Sequence, residues 1–459
     1  MGEVSLIAGA PAMAAPDSAG SWKVRPGAAL GFGLLWLFLV AIYARPEDIF
    51  PSLGALHLTF LLGVLAAVAF VWSLFLGHVT VVWPRELRLM LLLTLWFAAG
   101  MPFAYWRGGS FLVFTQIWLK TVVIFFLMVQ ILVTLERVRW VLWAIILSEL
   151  AVTAYSLLES SGVRWVEGRM YGVSQGILGW NFLGIAAALT LPYIAALFIA
   201  HRSWVKSCLL AVTTLSMLWM LMLTASRSGT LDVAVSVLVT SVLVLRGSAR
   251  GRLIGAGILL ALVISIVMAP AVFWERMGTI SGNETAASGG SVTASAEMSE
   301  NDRMAVLKRS VDYTWSHPIF GLGMGNVQVV SGNEARQSDA WVGSHNTFTE
   351  LSAEGGVPAL LLFLGLLFTA LRGMKRIGNA ALEGPEGNEL SLMARATRAS
   401  LLAFLFAGCF AHLGYEYFLY TGPIAVAVGL QQVAARRAKA AAPTVASLAG
   451  TQPLPGWNA

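Results

Sequence analysis

Long apolar runs alternate with short polar connections along most of the chain. A helix needs about 20 apolar residues to cross a bilayer, and twelve runs approach or reach that length. The pattern therefore predicts an all-α integral membrane protein with about 12 transmembrane helices. The runs lie at 28–44, 55–77, 86–104, 114–134, 138–158, 177–200, 208–226, 228–246, 253–274, 355–372, 399–416 and 418–435.

The composition supports a membrane protein. Hydrophobic residues make up 57% of the chain and charged residues only 12%, whereas soluble proteins are about 25% charged. This excludes a soluble globular enzyme, a disordered chain and a disulfide-rich secreted domain. Cys208 and Cys409 both lie in apolar runs, which argues against a disulfide framework or a metal cluster. The net charge of +6 is typical of cytoplasmic membrane loops, and no nucleic-acid partner is expected.

The distribution of Lys and Arg predicts the orientation. If the N-terminus is cytoplasmic, 19 of the 30 basic residues fall on the inner side and 10 on the outer side, with Lys120 inside a run. Both termini are therefore expected in the cytoplasm. The predicted organisation is a disordered cytoplasmic tail (1–26), spans one to nine (27–274), a periplasmic loop domain (275–354), spans ten to twelve (355–435) and a cytoplasmic tail (436–459).

The periplasmic loop is predicted to be partly helical. Residues 281–298 are small and low in complexity, which is typical of a flexible segment. The following SENDRMAVLKRSVDYTWSHP predicts a helix that starts with capping-box spacing at Ser299 and ends at Pro318. Its predicted apolar face consists of Met304, Leu307, Val311 and Trp315.

Three outer-side arginines, Arg169, Arg227 and Arg303, lie next to apolar segments. Arginine is costly at hydrocarbon depth unless it is paired or lies in a wet cavity. Its planar guanidinium suits phosphate oxygens and stays charged. Convergence of the three side chains would make a diphosphate site. The alternative for each is an interfacial arginine whose head group reaches water.

His345 is the strongest candidate general base. It lies at the start of a predicted helix, where Thr347 and Glu350 have capping-box spacing and Ser344 or Asn346 are alternative caps. A helix N-terminus disfavours the imidazolium and keeps the ring able to accept a proton. A surface or structural histidine is the alternative.

Several residues are candidates to support His345, and spacing alone does not choose among them. Asp339, Glu350 and Glu354 are all candidates to orient its ring, and Asn346 is a further supporting residue. The one rival is His412, in HLGYEY, which is predicted to line the same outer cavity.

Other motifs carry less information. GLGMGN (321–326) is interpreted as a tight turn, since no strand precedes it as in a dinucleotide site. Lys120, Glu149 and Asp232 are intramembrane charges, and Asp232 is expected to pair with a basic residue inside the bundle. No acidic pair or His/Cys cluster has metal-binding spacing, so neither a metal nor another cofactor is expected.

Four segments together resemble the O-antigen ligase and O-antigen polymerase superfamily of bacterial inner-membrane glycosyltransferases. The resemblance covers roughly residues 165–375. It implies a fold of the GT-C type, which uses lipid-linked sugars, in the inner membrane of a Gram-negative bacterium, with a periplasmic active site. The segments are RMYGVSQGILGWNFLG (169–184), SRSG (226–229), DRMAVLKRSVDYTWSHPIFGLGMGN (302–326) and SHNTFTELSAEGGVPALLLF (344–363).

The resemblance also implies substrates and roles. The expected donor is O-antigen on undecaprenyl diphosphate, and the expected acceptor is lipid A–core; membrane lipids surround a monomer. The family's essential arginine falls on Arg227, its loop arginine on Arg303, and its histidine on His345. Arg169 matches a further arginine of the family. The implied reaction is a metal-independent, inverting transfer.

Alternatives remain within and outside the superfamily. An O-antigen polymerase or a protein O-oligosaccharyltransferase would share these residues. A polytopic transporter or flippase would share the span pattern but is expected to place its charges near the bilayer midplane. The charges at the outer mouth favour an enzyme.

Overall fold

The computed structural model describes residues 26–158, 164–166, 168–171, 180–278, 291–335, 343–415 and 420–441. The predicted disordered tail lies almost entirely outside these ranges. So do Asp339, the first part of the low-complexity segment, and the C-terminal tail beyond 441.

The described residues form helices and one two-stranded hairpin, β1 (Arg164–Val166) and β2 (Arg169–Tyr171). The helices are α1 (Pro26–Ala44), α2 (Pro46–Ile49), α3 (Leu58–Phe75), α4 (Arg85–Gly100), α5 (Arg107–Val113), α6 (Leu119–Ile131), α7 (Leu135–Leu158), α8 (Trp180–Ala200), α9 (Trp204–Thr224), α10 (Arg227–Thr240), α11 (Ala249–Val267), α12 (Ala271–Gly278), α13 (Ser291–Ser316), α14 (Val327–Ala335), α15 (Thr347–Asn379), α16 (Gly384–Ala407) and α17 (Thr421–Ala441). One π-helical turn joins α5 to α6 and another extends α10 to Leu245.

Within the described ranges, ten helical segments are long and apolar enough to cross a membrane. The predicted class, an α-helical integral membrane protein, is therefore confirmed. The first and twelfth predicted runs also form helices, α1 and α17, but neither is among the ten, so the number of spans stays a prediction. The ten segments are Pro51–Phe75, Arg85–Phe103, Arg107–Ile131, Leu135–Leu158, Phe182–Ala200, Trp204–Thr224, Arg227–Leu245, Ala249–Val267, Thr347–Asn379 and Gly384–Ala407.

Burial distinguishes the central helix from the peripheral ones. In the most apolar stretch of α8, 78% of the residues are buried inside the protein, whereas in the corresponding stretches of α3 and α11 only 22% are buried. Because α8 is enclosed on nearly all sides, it lies at the centre of the bundle. The apolar surfaces of α3 and α11 are left for lipid.

Several predicted spans have wrong boundaries. The predicted run 355–372 is too short at both ends, since α15 extends from Thr347 to Asn379. The predicted run 253–274 is interrupted at Pro270, which cannot continue a helix, so α11 ends at Val267 and α12 is separate. The predicted run 399–416 is displaced. Helix α16 begins at Gly384 and ends at Ala407. Residues 408–415 are non-helical, and this segment is called the 408–415 segment below.

The predicted loop helix exists, but it starts earlier than predicted, and its predicted apolar face is not the side that packs on the protein. Helix α13 begins at Ser291, so Ser299 lies inside it and residues 291–298 are helical. Val306, Ser310 and Tyr313 form the buried side. The predicted apolar residues point away from the protein: Met304, Val311 and Trp315 are 51%, 40% and 74% exposed.

Polar contacts explain this choice of face. The Tyr313 hydroxyl donates to Glu334 Oε2 of α14 at 2.5 Å. Thr314 Oγ1 and Ser352 Oγ of α15 share a hydrogen bond of 2.8 Å. These hydrogen bonds, together with the apolar cluster that Tyr313 forms with Leu322, Val327, Val330 and Ala353, hold this side of the helix against the protein.

Helix α15 is interrupted near its start. Gly356 has φ +75° and ψ 175°, which is not helical, and Pro358 has no N–H to donate, so the carbonyl groups of Ala353 and Glu354 lack their helical partners. Ala353 O accepts from Leu322 N at 2.8 Å and Glu354 O accepts from Gly323 N at 2.9 Å.

The freed carbonyls hold the glycine-rich turn. Gly321, Gly323 and Gly325 all have positive φ, at 67°, 91° and 73°, a region that other residues rarely adopt. The tight-turn interpretation of GLGMGN is confirmed. The Glu354 side chain reinforces it by accepting from Gly325 N at 2.6 Å and Val327 N at 2.9 Å.

Replacing Gly356 tests the importance of this break. A Cβ at Gly356 would lie 1.9 Å from Ile319 O, and a positive φ costs a non-glycine residue about 1–2 kcal/mol. We expect Gly356→Ala to lower the free energy of unfolding by about 2 kcal/mol or more. The measurement is thermal unfolding of the purified protein.

Gly365→Ala on the same helix is the matched control. A Cβ there would meet only Leu89 Cδ1 at 4.0 Å, so this variant should be as stable as the wild type or more so. Equal melting temperatures for Gly356→Ala and Gly365→Ala would contradict the account.

Candidate active site

Arg227 follows a very tight turn between two spans. Helix α9 ends at Thr224, and Ala225 adopts a left-handed conformation with φ +47°. Ser226 then caps α10, its Oγ accepting from Gly229 N at 3.1 Å. Arg227 is thus the first residue of α10 and is half-buried.

Two glycines bring α10 against the central helix. A Cβ at Gly184 of α8 would lie 2.3 Å from Gly229 Cα. The two backbones are in direct contact, which only glycine permits. This contact fixes the start of α10, and with it Arg227, beside the start of α8.

The hairpin brings Arg169 to the same end of the bundle. Strands β1 and β2 pair in an antiparallel register, and Arg169 is only 5% exposed. Its Nε donates to Thr224 O at 2.9 Å. A cation is favoured at a helix C-terminus, since the carbonyl groups there carry partial negative charge. Arg169 is therefore held next to the turn that carries Arg227.

His345 also precedes a helix start and is itself left-handed, with φ +50°. Asn346 is the helix cap: its Oδ1 accepts from Phe348 N at 2.9 Å and Thr349 N at 3.0 Å. This settles the capping alternatives in favour of Asn346. Strained backbone of this kind is common at functional sites.

The start of α15 is tied to the 408–415 segment. Thr347 Oγ1 donates to Ala411 O at 2.7 Å and accepts from Leu413 N at 3.1 Å. His412 lies between these two residues. The result is a close approach of two histidines: the ring centroids of His345 and His412 are 5.4 Å apart, with an interplanar angle of 74°.

His412 also connects the site to α8. Its ring packs against Phe182, with centroids 6.5 Å apart, and burial lowers its pKa below the usual value. The predicted rival to His345 is therefore its neighbour, and the two histidines belong to one site.

The electrostatic environment keeps His345 neutral. Burial is the largest cause, and the nearby His412 and Arg303 add to it, lowering the pKa of His345 from 6.5 to about 4. Arg303 of α13 is thus close enough to affect the His345 charge. At neutral pH the His345 ring is unprotonated and can accept a proton.

Glu350 and Glu354, the two described candidates to orient His345, accept hydrogen bonds from a backbone amide and from a tyrosine hydroxyl. Glu350 Oε2 accepts from Gly414 N at 2.9 Å. Glu354 Oε2 accepts from the Tyr415 hydroxyl at 2.6 Å. Burial and Glu354 raise the pKa of Tyr415, which remains a hydrogen-bond donor. Both carboxylates therefore help to position the 408–415 segment that carries His412.

Asp232 was predicted to pair with a basic residue, and this prediction is wrong for the described part of the chain. Asp232 is 1% exposed, and neither carboxylate oxygen has a hydrogen-bond partner there. Burial, and then Asp232, raise the pKa of Cys409. Asp232 is thus within electrostatic reach of Cys409, whose carbonyl oxygen accepts from Asn346 Nδ2 at 3.2 Å.

Other polar groups lie apart from this cluster. Lys120 lines a separate groove of about 470 Å³ with Glu47 and His57. Glu149 lines a cavity of about 60 Å³ with Tyr193. Among the described residues, no three His, Cys, Asp or Glu side chains are grouped as metal ligands.

Taken together, the described residues form a multi-pass membrane protein in which histidine and arginine side chains lie at helix ends as a candidate site. Residues 212–364 match the family model described as O-antigen ligase. The resemblance to the O-antigen ligase and polymerase superfamily is thereby confirmed. Members of this family are membrane glycosyltransferase-like ligases and polymerases.

The matched segment contains Arg227, Arg303 and His345, whereas Arg169 and His412 lie outside it. No curated protein matches the chain. The contribution of Arg169 and His412 therefore rests on their positions in the structure.

The depressed pKa of His345 can be measured directly. We expect its ring to titrate near 4 in the purified protein, because burial and two neighbouring groups disfavour the charged form. The measurement is the pH dependence of histidine ring ¹³C shifts, with His345→Gln used for assignment. Arg303→Gln should raise the midpoint, since it removes a positive neighbour. A midpoint near the ordinary 6.5 would contradict this environment.

Proposed function

We propose that this protein is an O-antigen ligase. It transfers O-antigen polysaccharide from undecaprenyl diphosphate to a hydroxyl group of lipid A–core at the periplasmic face of the inner membrane. The observation that carries the proposal is the placement of a neutral His345 next to Arg303 and His412, in a segment that matches the O-antigen ligase family.

His345 is the general base. Its ring removes the proton from the acceptor hydroxyl as the oxygen forms a bond to the anomeric carbon of the donor sugar. The bond between that carbon and the diphosphate oxygen breaks, and undecaprenyl diphosphate leaves with the electron pair. Attack opposite the leaving group inverts the anomeric centre. The ring is unprotonated at neutral pH and free to accept a proton, but its low pKa makes it a weak base, and the negative charge of the bound donor diphosphate would raise that pKa toward neutral.

The three arginines stabilise the leaving diphosphate. Arg227 starts α10, Arg169 is bound to the last residue of α9, and Arg303 is within electrostatic reach of His345. Their permanent charges offset the negative charge that develops on the departing oxygen. Arginines supply this stabilisation without a metal ion, so the proposed reaction is metal-independent.

Substituting the base and the central arginine tests the mechanism. We expect His345→Ala and Arg227→Ala each to reduce transfer by about 10²-fold or more, because a positioned base and a preorganised cation are each worth that much. The measurement is the initial rate with purified protein, lipid-linked polymer and lipid A–core. His317→Ala, at an exposed position after α13, is the matched control and should retain the wild-type rate.

The product of the same assay identifies the reaction class. Polymer attached to lipid A–core is the expected product of a ligase. Elongated lipid-linked polymer without attachment would instead identify a polymerase, and no covalent product would favour a transporter. A wild-type rate for folded His345→Ala would contradict the assignment of the base.

A further inference from the structure

A groove with one basic end lies where α10 and α11 meet, away from the residues of the proposed catalytic site. An open groove of about 510 Å³ runs between these helices. Its walls are largely apolar, and Leu238 and Leu259 on opposite walls are 64% and 53% exposed. The groove is wide enough to take an acyl chain, and its surface suits one.

Small side chains and an irregular turn create the space. Gly255 and Ala256 are the small residues that line the α11 wall, and Leu245 packs close to Gly255, where a Cβ would lie 2.9 Å from its Cδ1. On the other wall, the last turn of the span is π-helical from Ser241 to Leu245. π-helical turns are rare and occur frequently at functional sites.

One end of the groove is strongly basic. Arg246 and Arg252 line it and are exposed. Two further arginines lie near this end. Arg250 donates a hydrogen bond to His201 O. Arg395 Nη1 lies 3.7 Å from the position that a Cβ on Gly247 would occupy. None of the described residues that line the groove is acidic.

The position of this end matches a lipid headgroup. The connection between α10 and α11 lies at the opposite end of α10 from Arg227. By the distribution of basic residues it is predicted to face the cytoplasm. Basic pockets between transmembrane helices on this side bind anionic lipid headgroups, while the flanking groove accommodates the chains.

We infer that this groove binds a phospholipid with an anionic headgroup. Arg246 and Arg252 bind its phosphate and one acyl chain lies along Leu238, Ala256 and Leu259. The site is independent of the proposed transfer reaction, since it uses none of the residues assigned to catalysis.

Lipid binding by purified full-length protein tests the inference. The probes are dioleoylphosphatidylglycerol, dioleoylphosphatidylcholine and the headgroup alone, glycerol phosphate, and native mass spectrometry measures the bound fraction. Phosphatidylglycerol should bind about tenfold or more tightly than phosphatidylcholine, because both carry the phosphate but only phosphatidylcholine also carries a quaternary ammonium, which the two arginines repel. Glycerol phosphate should not compete at the same concentration, because it lacks the chains.

Two variants separate the contributions of charge and groove. Arg246→Gln with Arg252→Gln should remove the preference for phosphatidylglycerol, whereas Ala256→Phe should reduce binding of both lipids by filling the groove. The matched control is Arg85→Gln with Arg88→Gln, two exposed arginines at the start of α4 outside the groove. It should retain the wild-type preference.

Three results would overturn the inference. They are equal loss of preference in the Arg246/Arg252 and Arg85/Arg88 variants, unchanged binding by Ala256→Phe, and full competition by glycerol phosphate. If Ala256→Phe does not elute as a folded protein, the comparison of the Arg246/Arg252 variant with the Arg85/Arg88 variant tests the inference by itself. Transfer activity is not needed for any arm, so failure here is distinguishable from failure of the proposed function.

Discussion

The interruption of α15 at Gly356 is the constraint on which the candidate active site depends. The non-helical Gly356 and the missing N–H of Pro358 leave Ala353 O and Glu354 O without helical donors, and both accept from the glycine-rich turn instead. The Glu354 carboxylate extends the same connection to Val327 N and to the Tyr415 hydroxyl. One buried side chain therefore joins the loop after α13, the broken start of α15 and the 408–415 segment. A lost partner would leave this buried carboxylate unsatisfied, which is costly.

The site itself is built at helix starts. His345 and Ala225 are both left-handed residues that immediately precede a capped helix. Each allows an abrupt change of direction, so that Asn346 and Ser226 can cap α15 and α10. The turn at Ala225 exposes Arg227 at the end of its span, and the turn at His345 brings the imidazole against His412. Burial then keeps the ring neutral, which a general base requires.

Local patterns predicted much of this arrangement. The apolar runs indicated the ten candidate spans, and the short gap between the seventh and eighth runs indicated a tight turn at Arg227, which is the first residue of α10 in the structure. The arrangement of residues that are distant in the sequence depends on long-range contacts, which local patterns do not show. His412 reaches His345 because Thr347 bonds to backbone more than 60 residues away. The inward face of α13 does not follow from hydrophobicity alone, because long-range contacts such as Tyr313 to Glu334 hold it against the protein. Asp232 was expected to have a basic partner because buried charges usually do.

Amide exchange in a Glu354→Gln variant tests the central role of this carboxylate most directly. The substitution retains the size of the side chain but exchanges one acceptor oxygen for a donor. Hydrogen exchange with mass spectrometry should show faster exchange in both 321–327 and 408–415, while Glu86→Gln, a buried carboxylate at the far end of α4, should leave both segments protected. Unchanged protection of these two segments in Glu354→Gln would contradict the account.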